Sequence, residues 1–477
     1  MSHEGLLQAC WGTGLAALQL AGIFYAVQAV MMARTPQSAI GWGLALVLLP
    51  ALAIPLFWIF GESRFQGYAL ARQGTCERLD AAARAVFEAV APHASHFGEK
   101  FADAGRIALA LGCPPAMGGN SLRLLVDGEE TFAAIFEAID RAEDFLVVQF
   151  YIIHDDGLGG KLREAILRAA DRGVRCFVLY DAVGSKGLDE NWCGPLRRAG
   201  VAVHPFVTNR QRGRRFQINF RNHRKLVVAD GRVAFLGGLN AGDEYLGLGP
   251  LGPWRDTHLR VEGPAATAML VPFLEDWNYA THDVPDLPFT VAAAGDQRAL
   301  PFASGPAQPW QTAPAVYHEI LHDARERLWI ASPYFVPDPA TRTALAHAAL
   351  RGLDVRILLP GKPDHILPWL TSFTFYPQML EAGVRIWRLP GGFLHQKVLL
   401  ADSDLAIVGS VNLDYRSFAI NFEAAVASDD RRFAADVERM LAADFARAKE
   451  EDLTSFSRAP FLFRLRCRLA SLMSPEQ

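Results

Sequence analysis

The hydrophobic pattern of the chain changes character twice. Residues 5–33 and 35–61 form two uncharged, apolar stretches separated by Arg34 and closed by Glu62. Each exceeds the roughly 20 residues that an α-helix needs to cross a hydrocarbon core. Backbone groups in lipid must be satisfied within the segment, so the pattern predicts two membrane-spanning helices, the second kinked at Pro50 and Pro55. The connection Arg34-Thr35-Pro36-Gln37-Ser38 is short and polar, which makes them a hairpin. Met-Ser-His-Glu at the start carries no Lys or Arg and the apolar run after it is long, so a cleaved signal peptide is not expected.

After residue 62 the apolar runs shorten and alternate with helical periodicity. Residues 147–181 read as an apolar strand, a glycine-containing turn, a helix ending at Arg172-Gly173, and a second buried strand. Residues 328–360 repeat that order, with the helix ending at Arg351-Gly352. Glycine directly after a helix suits a left-handed cap, and the uniformly apolar runs at 176–180 and 355–359 suit parallel strands covered on both faces. The body is therefore an α/β structure built from two copies of one unit. Near the end, residues 460–470 mix bulky apolar side chains with Arg464, Arg466 and Arg468 and no acid. That segment fits a helix lying in the lipid headgroup plane and a helix docked on the body equally well.

The 477 residues carry 47 Lys and Arg against 51 Asp and Glu, a formal charge of −4, and only Glu4, Arg34 and Glu62 of these lie in the first 62 residues. An apolar anchor is attached to a water-soluble body long enough for several domains. The near-neutral balance argues against a nucleic-acid binder, whose affinity rests on phosphate contacts. Six cysteines without a C-x-x-C pair exclude a zinc or disulfide framework and favour a reducing compartment. Arg34 alone lies between the apolar stretches, whereas Arg64, Arg72 and Arg78 follow the second, so the body is expected on the cytoplasmic side.

Each half then carries a second shared pattern. The first copy is His223-Arg224-Lys225 with Asp230, followed by Gly237-Gly238-Leu239-Asn240; the second is His395-Gln396-Lys397 with Asp402, followed by Gly409-Ser410-Val411-Asn412. His, Lys and Asp recur at i, i+2 and i+7, and the copies lie 172 residues apart. Alternate strand residues share a face, so His and Lys project together while the apolar residues after Lys enter the core. Asp230 before Gly231 marks a turn, and the strand that returns brings an amide beside the same face. One copy thus offers a nucleophile or acid/base, a cation and a hydrogen-bonding amide. Two intact copies at equal offsets point to a duplicated catalytic unit.

At these residues the sequence resembles the phospholipase D superfamily, over roughly residues 120–450. Tyr151 with Asp155 and Asp156, Asp181 with Gly184-Ser185, Asn222, Trp254-Arg255-Asp256, Ser304-Gly305-Pro306, Pro333-Tyr334-Phe335-Val336-Pro337, Asn412-x-Asp414-x-Arg416-Ser417 and Asn421-Phe422-Glu423 make it similar to the bacterial cardiolipin synthases. The resemblance implies two tandem phospholipase D-like α/β/α sandwich domains related by pseudo-two-fold symmetry, at 120–290 and 291–455. A two-helix transmembrane hairpin (1–62) and a helical linker (63–119) precede them, and a basic amphipathic segment (456–477) follows.

It further implies one active site at the domain interface of a multi-pass protein of the bacterial inner membrane. The expected reaction is phosphatidyl transfer between two phosphatidylglycerol molecules, giving cardiolipin and glycerol. The implied catalytic residues are His223, Lys225, Asp230, His395, Lys397 and Asp402, with no metal and no cofactor. His223 is the expected nucleophile, forming a phosphohistidine, and His395 the acid and then the base, with the reverse assignment open. Lys225, Lys397, Asn240 and Asn412 are expected to stabilise phosphoryl charge. Asp256 and Glu423, which lie 33 and 28 residues after the two histidines, are expected to hold the imidazoles. Asp230 and Asp402 are expected to brace their motifs rather than touch substrate. The implied partners are membrane lipids, and a lipid-hydrolysing phospholipase D is the alternative that the same residues serve.

Three features lie outside this scheme. Arg210, Arg212, Arg214, Arg215 and Arg221 form a basic run ahead of His223, suited to a solvated loop or to lipid phosphate. The aromatic stretch 370–376 is expected to pack rather than to line an acyl-chain channel. His154, His258 and His365 belong to no motif.

Overall fold

The computed structural model describes residues 3–33, 36–61, 68, 76–208, 219–308, 310–453, 456 and 458–474. Arg34, Arg64, Arg72, Arg210, Arg212, Arg214 and Arg215 lie outside the described residues. The chain divides into an N-terminal unit, residues 1–69 with 208–220, and a body of residues 70–207 and 221–477.

In the first unit, helix His3–Met32 contains the apolar stretch Cys10–Met32, long and apolar enough to cross a bilayer. The second apolar stretch forms two shorter helices, Pro36–Leu48 and Pro50–Phe60. Pro50 has no N–H to donate, and the break falls beside it at Leu49. Leu49 N–H still bonds to Ala45 O at 2.8 Å and Ala53 N–H to Leu49 O at 2.9 Å, so the helical pattern resumes past the proline. Gly22 allows the helices to touch, since a Cβ there would lie 2.4 Å from Leu46 O. Small residues at such crossings are what apolar helices use in lipid.

The body is one mixed sheet made of two equivalent halves. The first half contributes β1 (Met117–Val126), β2 (Phe145–Phe150), β3 (Arg175–Asp181), β4 (Ala202–Phe206), β5 (Leu226–Ala229), β6 (Val233–Gly237) and β7 (Thr257–Glu262). The second contributes β8 (Gln297–Ser304), β9 (Arg327–Ala331), β10 (Asp354–Pro360), β11 (Arg385–Leu389), β12 (Val398–Ala401), β13 (Leu405–Gly409) and β14 (Asn421–Ser428). Across the sheet the order is β4-β3-β2-β5-β6-β7-β1-β8-β14-β13-β12-β9-β10-β11, with the two-residue strand Lys449–Glu450 added antiparallel beyond β11. Adding seven to each label of one half and reversing the order gives the other half. The antiparallel β1–β8 pair, with Met117 opposite Ala299, lies at the centre of this symmetry.

The helices repeat as well. Gly157–Asp171 joins the parallel strands β2 and β3, and Pro339–Leu350 joins β9 and β10. Asp156 and Asp338 cap them by accepting from Gly159 N–H (2.9 Å) and Thr341 N–H (2.8 Å). Gly173 and Gly352 follow them at φ +87° and +94°. The strands are covered on both faces, as β3 shows. Cys176 and Val178 join a core with Leu162, Ile166 and Trp192, while Phe177 meets Trp277 from helix Leu270–Thr281 at 5.3 Å.

Asp230 and Asp402 follow β5 and β12 at φ +54° each. Asp230 accepts from the N–H groups of Glu143, Asp144 and Phe145 at 2.9–3.0 Å, tying the motif strand to the start of β2. Asp402 does the same for Arg325, Glu326 and Arg327 at 2.7–3.0 Å and the start of β9. Both carboxylates therefore act at the end of the strand remote from the histidine. Asp230→Ala strands three backbone donors and is expected to cost about 2–3 kcal/mol. The check is the thermal unfolding midpoint, which falls if the brace matters and stays at the wild-type value if it does not.

Candidate active site

Two short parallel ladders bring the motifs together. Arg221–Asn222, just before the first histidine, pairs with Asn421–Phe422 at the start of β14. Phe393–Leu394, just before the second, pairs with Trp254–Arg255 ahead of β7. His223 N–H donates to Phe422 O at 2.9 Å and His395 N–H to Arg255 O at 2.8 Å. Each motif is therefore laid against the acid-bearing strand of the other half. His223 Nδ1 meets the Glu423 carboxylate at 2.9 Å, and His395 Nδ1 meets Asp256 Oδ2 at 2.7 Å. Chain order assigns each acid to the histidine before it; the ladders exchange them.

The ring nitrogen left free by each carboxylate is Nε2. His223 and His395 stay 7% and 6% exposed, whereas Lys225, Glu423 and Asp256 are fully buried beneath them. Lys225 Nζ donates to His223 O at 2.7 Å and lies 5.2 Å from the Tyr151 ring; Lys397 Nζ donates to His395 O.

Burial controls the protonation of the site. It pushes His223 down to about 4, with Lys225 and Lys397 adding to the fall against Glu423. It also takes His395 well below its ordinary value, the two lysines again contributing. Both imidazoles are thus neutral near pH 7, the state a nucleophile or base requires. Lys225 lies well below the usual lysine value through burial, and Lys397 falls to about 8.

The two carboxylates differ. Burial raises Glu423, but His223, Lys225 and the Ser410 hydroxyl outweigh it and hold the acid below its ordinary value. Ser410 Oγ donates to Glu423 Oε2 at 2.5 Å. The equivalent of Ser410 in the first copy is Gly238, which supplies no hydroxyl. Asp256 accepts Thr257 N–H at 2.7 Å and is pushed up to about 7 by burial, against Lys397 and that amide. Burial therefore favours a proton on the His395–Asp256 pair more than on the His223–Glu423 pair.

Comparison with known proteins agrees with this geometry. A family model described as "Cardiolipin synthase, PLD-like domain" matches residues 135–248 and 317–445, one segment for each motif. Cardiolipin synthase A of Pseudomonas putida is 44% identical over 474 residues, 98% of each chain. The chain belongs to the cardiolipin synthase family. Cardiolipin synthase A of Pseudomonas aeruginosa (strain LESB58) is also 44% identical, over 97% of this chain and 96% of its own. Among solved structures, the phosphatidylserine synthase of Haemophilus influenzae Rd KW20 gives a TM-score of 0.62 at 15% identity, over 79% of this chain and all of its own. The polyphosphate kinase of Porphyromonas gingivalis gives 0.50 at 13%, over 75% and 54%. At such identities the likeness speaks for the fold alone.

In this cardiolipin synthase relative the remaining motif residues are placed unevenly. Asn240 Oδ1 accepts Ile152 N–H at 3.1 Å, and its amide donates to Tyr245 Oη at 2.7 Å, beside His395. Asn412 Oδ1 is buried with no hydrogen-bond partner among the described residues. Asp181 is a structural acceptor for the N–H groups of Val183, Gly184 and Asn222, each at 2.9 Å. Arg221 belongs to the short ladder beside the site. His258 is fully buried and carries no ring partner among the described residues; His154 sits 3.5 Å from Glu244.

Sequence reasoning missed the supports behind the motifs. Arg224, between His223 and Lys225, faces the other side of the strand, pairs with buried Asp276 at 2.7 Å and donates to Glu423 O at 3.1 Å. Gln396 and Arg255 meet Asp444 in the same way, at 3.0 and 2.9 Å. The available signal was a polar residue at the inward position of each motif, which needs a buried partner.

Gly238 is required at its position, because a Cβ there would lie 2.0 Å from Asp256 Oδ1. Gly238→Ala should move that carboxylate off His395 and lower kcat about a hundredfold; near-normal kcat would show that the pair tolerates displacement. Ser410→Ala removes a donor to the Glu423 anion, so the acid limb of the kcat/KM pH profile should move to higher pH. An unmoved limb would show that the hydroxyl does not set the acid.

Proposed function

We propose that the chain is a membrane-bound phosphatidyltransferase that joins two phosphatidylglycerol molecules into cardiolipin and releases glycerol. The observation that carries this reading is the pair of neutral histidines, each held at Nδ1 by a carboxylate of the opposite half. Family membership supports phospholipid as the substrate class and the membrane as its place, in keeping with the apolar stretch Cys10–Met32.

His223 Nε2 attacks the phosphorus of the first lipid while the bond to its glycerol headgroup breaks. The His395–Asp256 pair delivers a proton to the departing oxygen. The headgroup hydroxyl of the second phosphatidylglycerol then attacks phosphorus, the phosphorus–nitrogen bond breaks, and His395 takes the hydroxyl proton. One phosphodiester replaces another, so transfer is close to isoenergetic and depends on excluding water. Lys225 and Lys397, whose charged forms burial disfavours, regain a favourable partner in an anionic phosphodiester and stabilise its oxygens. The proton difference between the two pairs favours His223 as nucleophile and His395 as acid. Both apolar stretches span the bilayer in this scheme, and the basic residues after the second favour a cytoplasmic body.

Phosphatidylglycerol vesicles test the reaction, with cardiolipin and free glycerol as the expected products; phosphatidate without cardiolipin would overturn it in favour of hydrolysis. His223→Ala and His395→Ala should each abolish turnover. With a phosphatidyl p-nitrophenol, whose leaving group needs no acid, His395→Ala should accumulate phosphate label on His223, and label elsewhere would reverse the roles. The donor pair is protonated below its raised value and loses its proton above it. kcat/KM should therefore fall as pH rises past about 7, and a flat profile from 6 to about 9 would remove Asp256 from the proton path.

A further inference from the structure

The C-terminal helix Phe461–Ser471 has two working faces. One docks on the body. Phe463 packs on Phe373 at 5.3 Å and on Trp369 at 6.3 Å, and Cys467 and Ala470 are buried on the same side. Its platform, helix Ile366–Ser372 with Phe373, is fixed from below by Arg388, whose guanidinium lies 4.4 Å from the Phe373 ring and bonds to Pro360 O and Tyr376 Oη. The aromatic stretch 370–376 is thus a packing platform.

The other face is apolar and open to solvent. At about 100° per residue, Phe461, Leu462, Leu465, Leu469, Leu472 and Met473 share one arc of about 120°, nearly opposite the docked side. Phe461 is 71% exposed and Leu472 75%. Arg466 borders this arc on one side, and Arg464 and Arg468 on the other. A helix docked on a soluble protein turns polar residues outward; this one turns six large apolar residues outward between arginines. Helix Ile366–Ser372 extends the surface, with Ile366 66% and Leu367 51% exposed.

The surface adjoins the catalytic site. Helix Ile366–Ser372 begins directly after Asp364 and His365. Asp364 accepts the Tyr334 hydroxyl at 2.5 Å, and the His365 ring lies 6.3 Å from the Tyr334 ring. Phe335–Val336, next to Tyr334, pairs with Leu413–Asp414, next to Asn412. We propose that the exposed face of Phe461–Ser471, with Ile366 and Leu367, is a membrane-dipping ridge of the catalytic body. Its leucines enter the acyl region of one leaflet, its arginines rest on anionic headgroups, and the mouth of the site is held at the level where phosphodiesters lie. Charge complementarity selects an anionic lipid surface as the occupant: three arginines and no acid border the apolar arc. The ridge is a contact of the body itself, additional to the N-terminal anchor.

The test uses the full chain with Cys10, which is exposed, and Cys76 replaced by Ser, leaving the buried Cys113, Cys176, Cys193 and Cys467, and an environment-sensitive fluorophore on Leu469→Cys. Arg431→Cys on an exposed part of the body is the control. In vesicles of phosphatidylglycerol and phosphatidylethanolamine, acyl-chain nitroxide lipids should quench the label at 469 by about half and leave 431 bright. Quenching at 469 by aqueous iodide instead would overturn the ridge. Shielding from both quenchers would also overturn it, by placing a second copy of the chain on this face. In a second experiment, Leu465→Glu with Leu469→Glu should lower the rate on vesicle phosphatidylglycerol about tenfold relative to the rate on monomeric dihexanoyl phosphatidylglycerol. An equal fall on both substrates would overturn the docking role. The fluorescence readout needs no turnover, so it stands or falls separately from the transferase reading.

Discussion

Two buried histidine–carboxylate pairs that bridge the halves of the body are the constraint on which the rest depends. A carboxylate left in the interior without its partner destabilises a protein by about 3–5 kcal/mol. Glu423 and Asp256 are each met by an imidazole of the opposite motif, with Ser410 Oγ and Thr257 N–H as further donors from their own halves. Neither half therefore completes a histidine–carboxylate pair by itself. The central β1–β8 pair and the two short ladders at Arg221–Asn222 and Phe393–Leu394 are the backbone expression of the same requirement. Fold stability and catalytic geometry are here one set of contacts.

The same burial sets the charge of the site. Two lysines beneath two histidines would repel one another if all were charged, and desolvation lowers every one of these groups. In the proposed reaction an anionic phosphodiester offsets these cations, and a chain of net charge −4 supplies them from its interior rather than from a basic surface. Overall charge is therefore a poor guide to a site of this kind.

Chain order revealed the repeat because the physics that sets it is local. Strand alternation places His and Lys on one face, Asp230 and Asp402 end the strands at positive φ, and glycine follows the helices at 173 and 352. The palindromic strand order then follows from duplicating one unit around an antiparallel pair. What sequence could not show was which acid meets which histidine. Spacing along the chain favours the acid of the same half, and the exchange depends on long-range ladders with no local signal. Asp276 and Asp444 were hidden for the same reason: each sits on a helix far from its motif and matters only through Arg224, Arg255 or Gln396. In the C-terminal segment the docked reading holds for the face that carries Phe463, Cys467 and Ala470.

Duplication creates two equivalent histidines, yet in the proposed reaction one attacks and the other donates a proton, so something must break the symmetry. The residue before the strand-returning x-Asn does this. In the second copy Ser410 adds a hydroxyl to Glu423 and keeps it anionic, leaving His223 with a fixed acceptor and a free lone pair. In the first copy the shorter acid, Asp256, comes so close to position 238 that any Cβ would collide with it, and only glycine fits. Serine is therefore sterically barred from the one place where it would equalise the two arms. Asp256, with one amide and no hydroxyl to hold its charge, keeps a proton to near neutrality. The difference between the two histidine–carboxylate pairs thus follows from the length of one side chain, Asp against Glu, and from the space that length leaves for its neighbour.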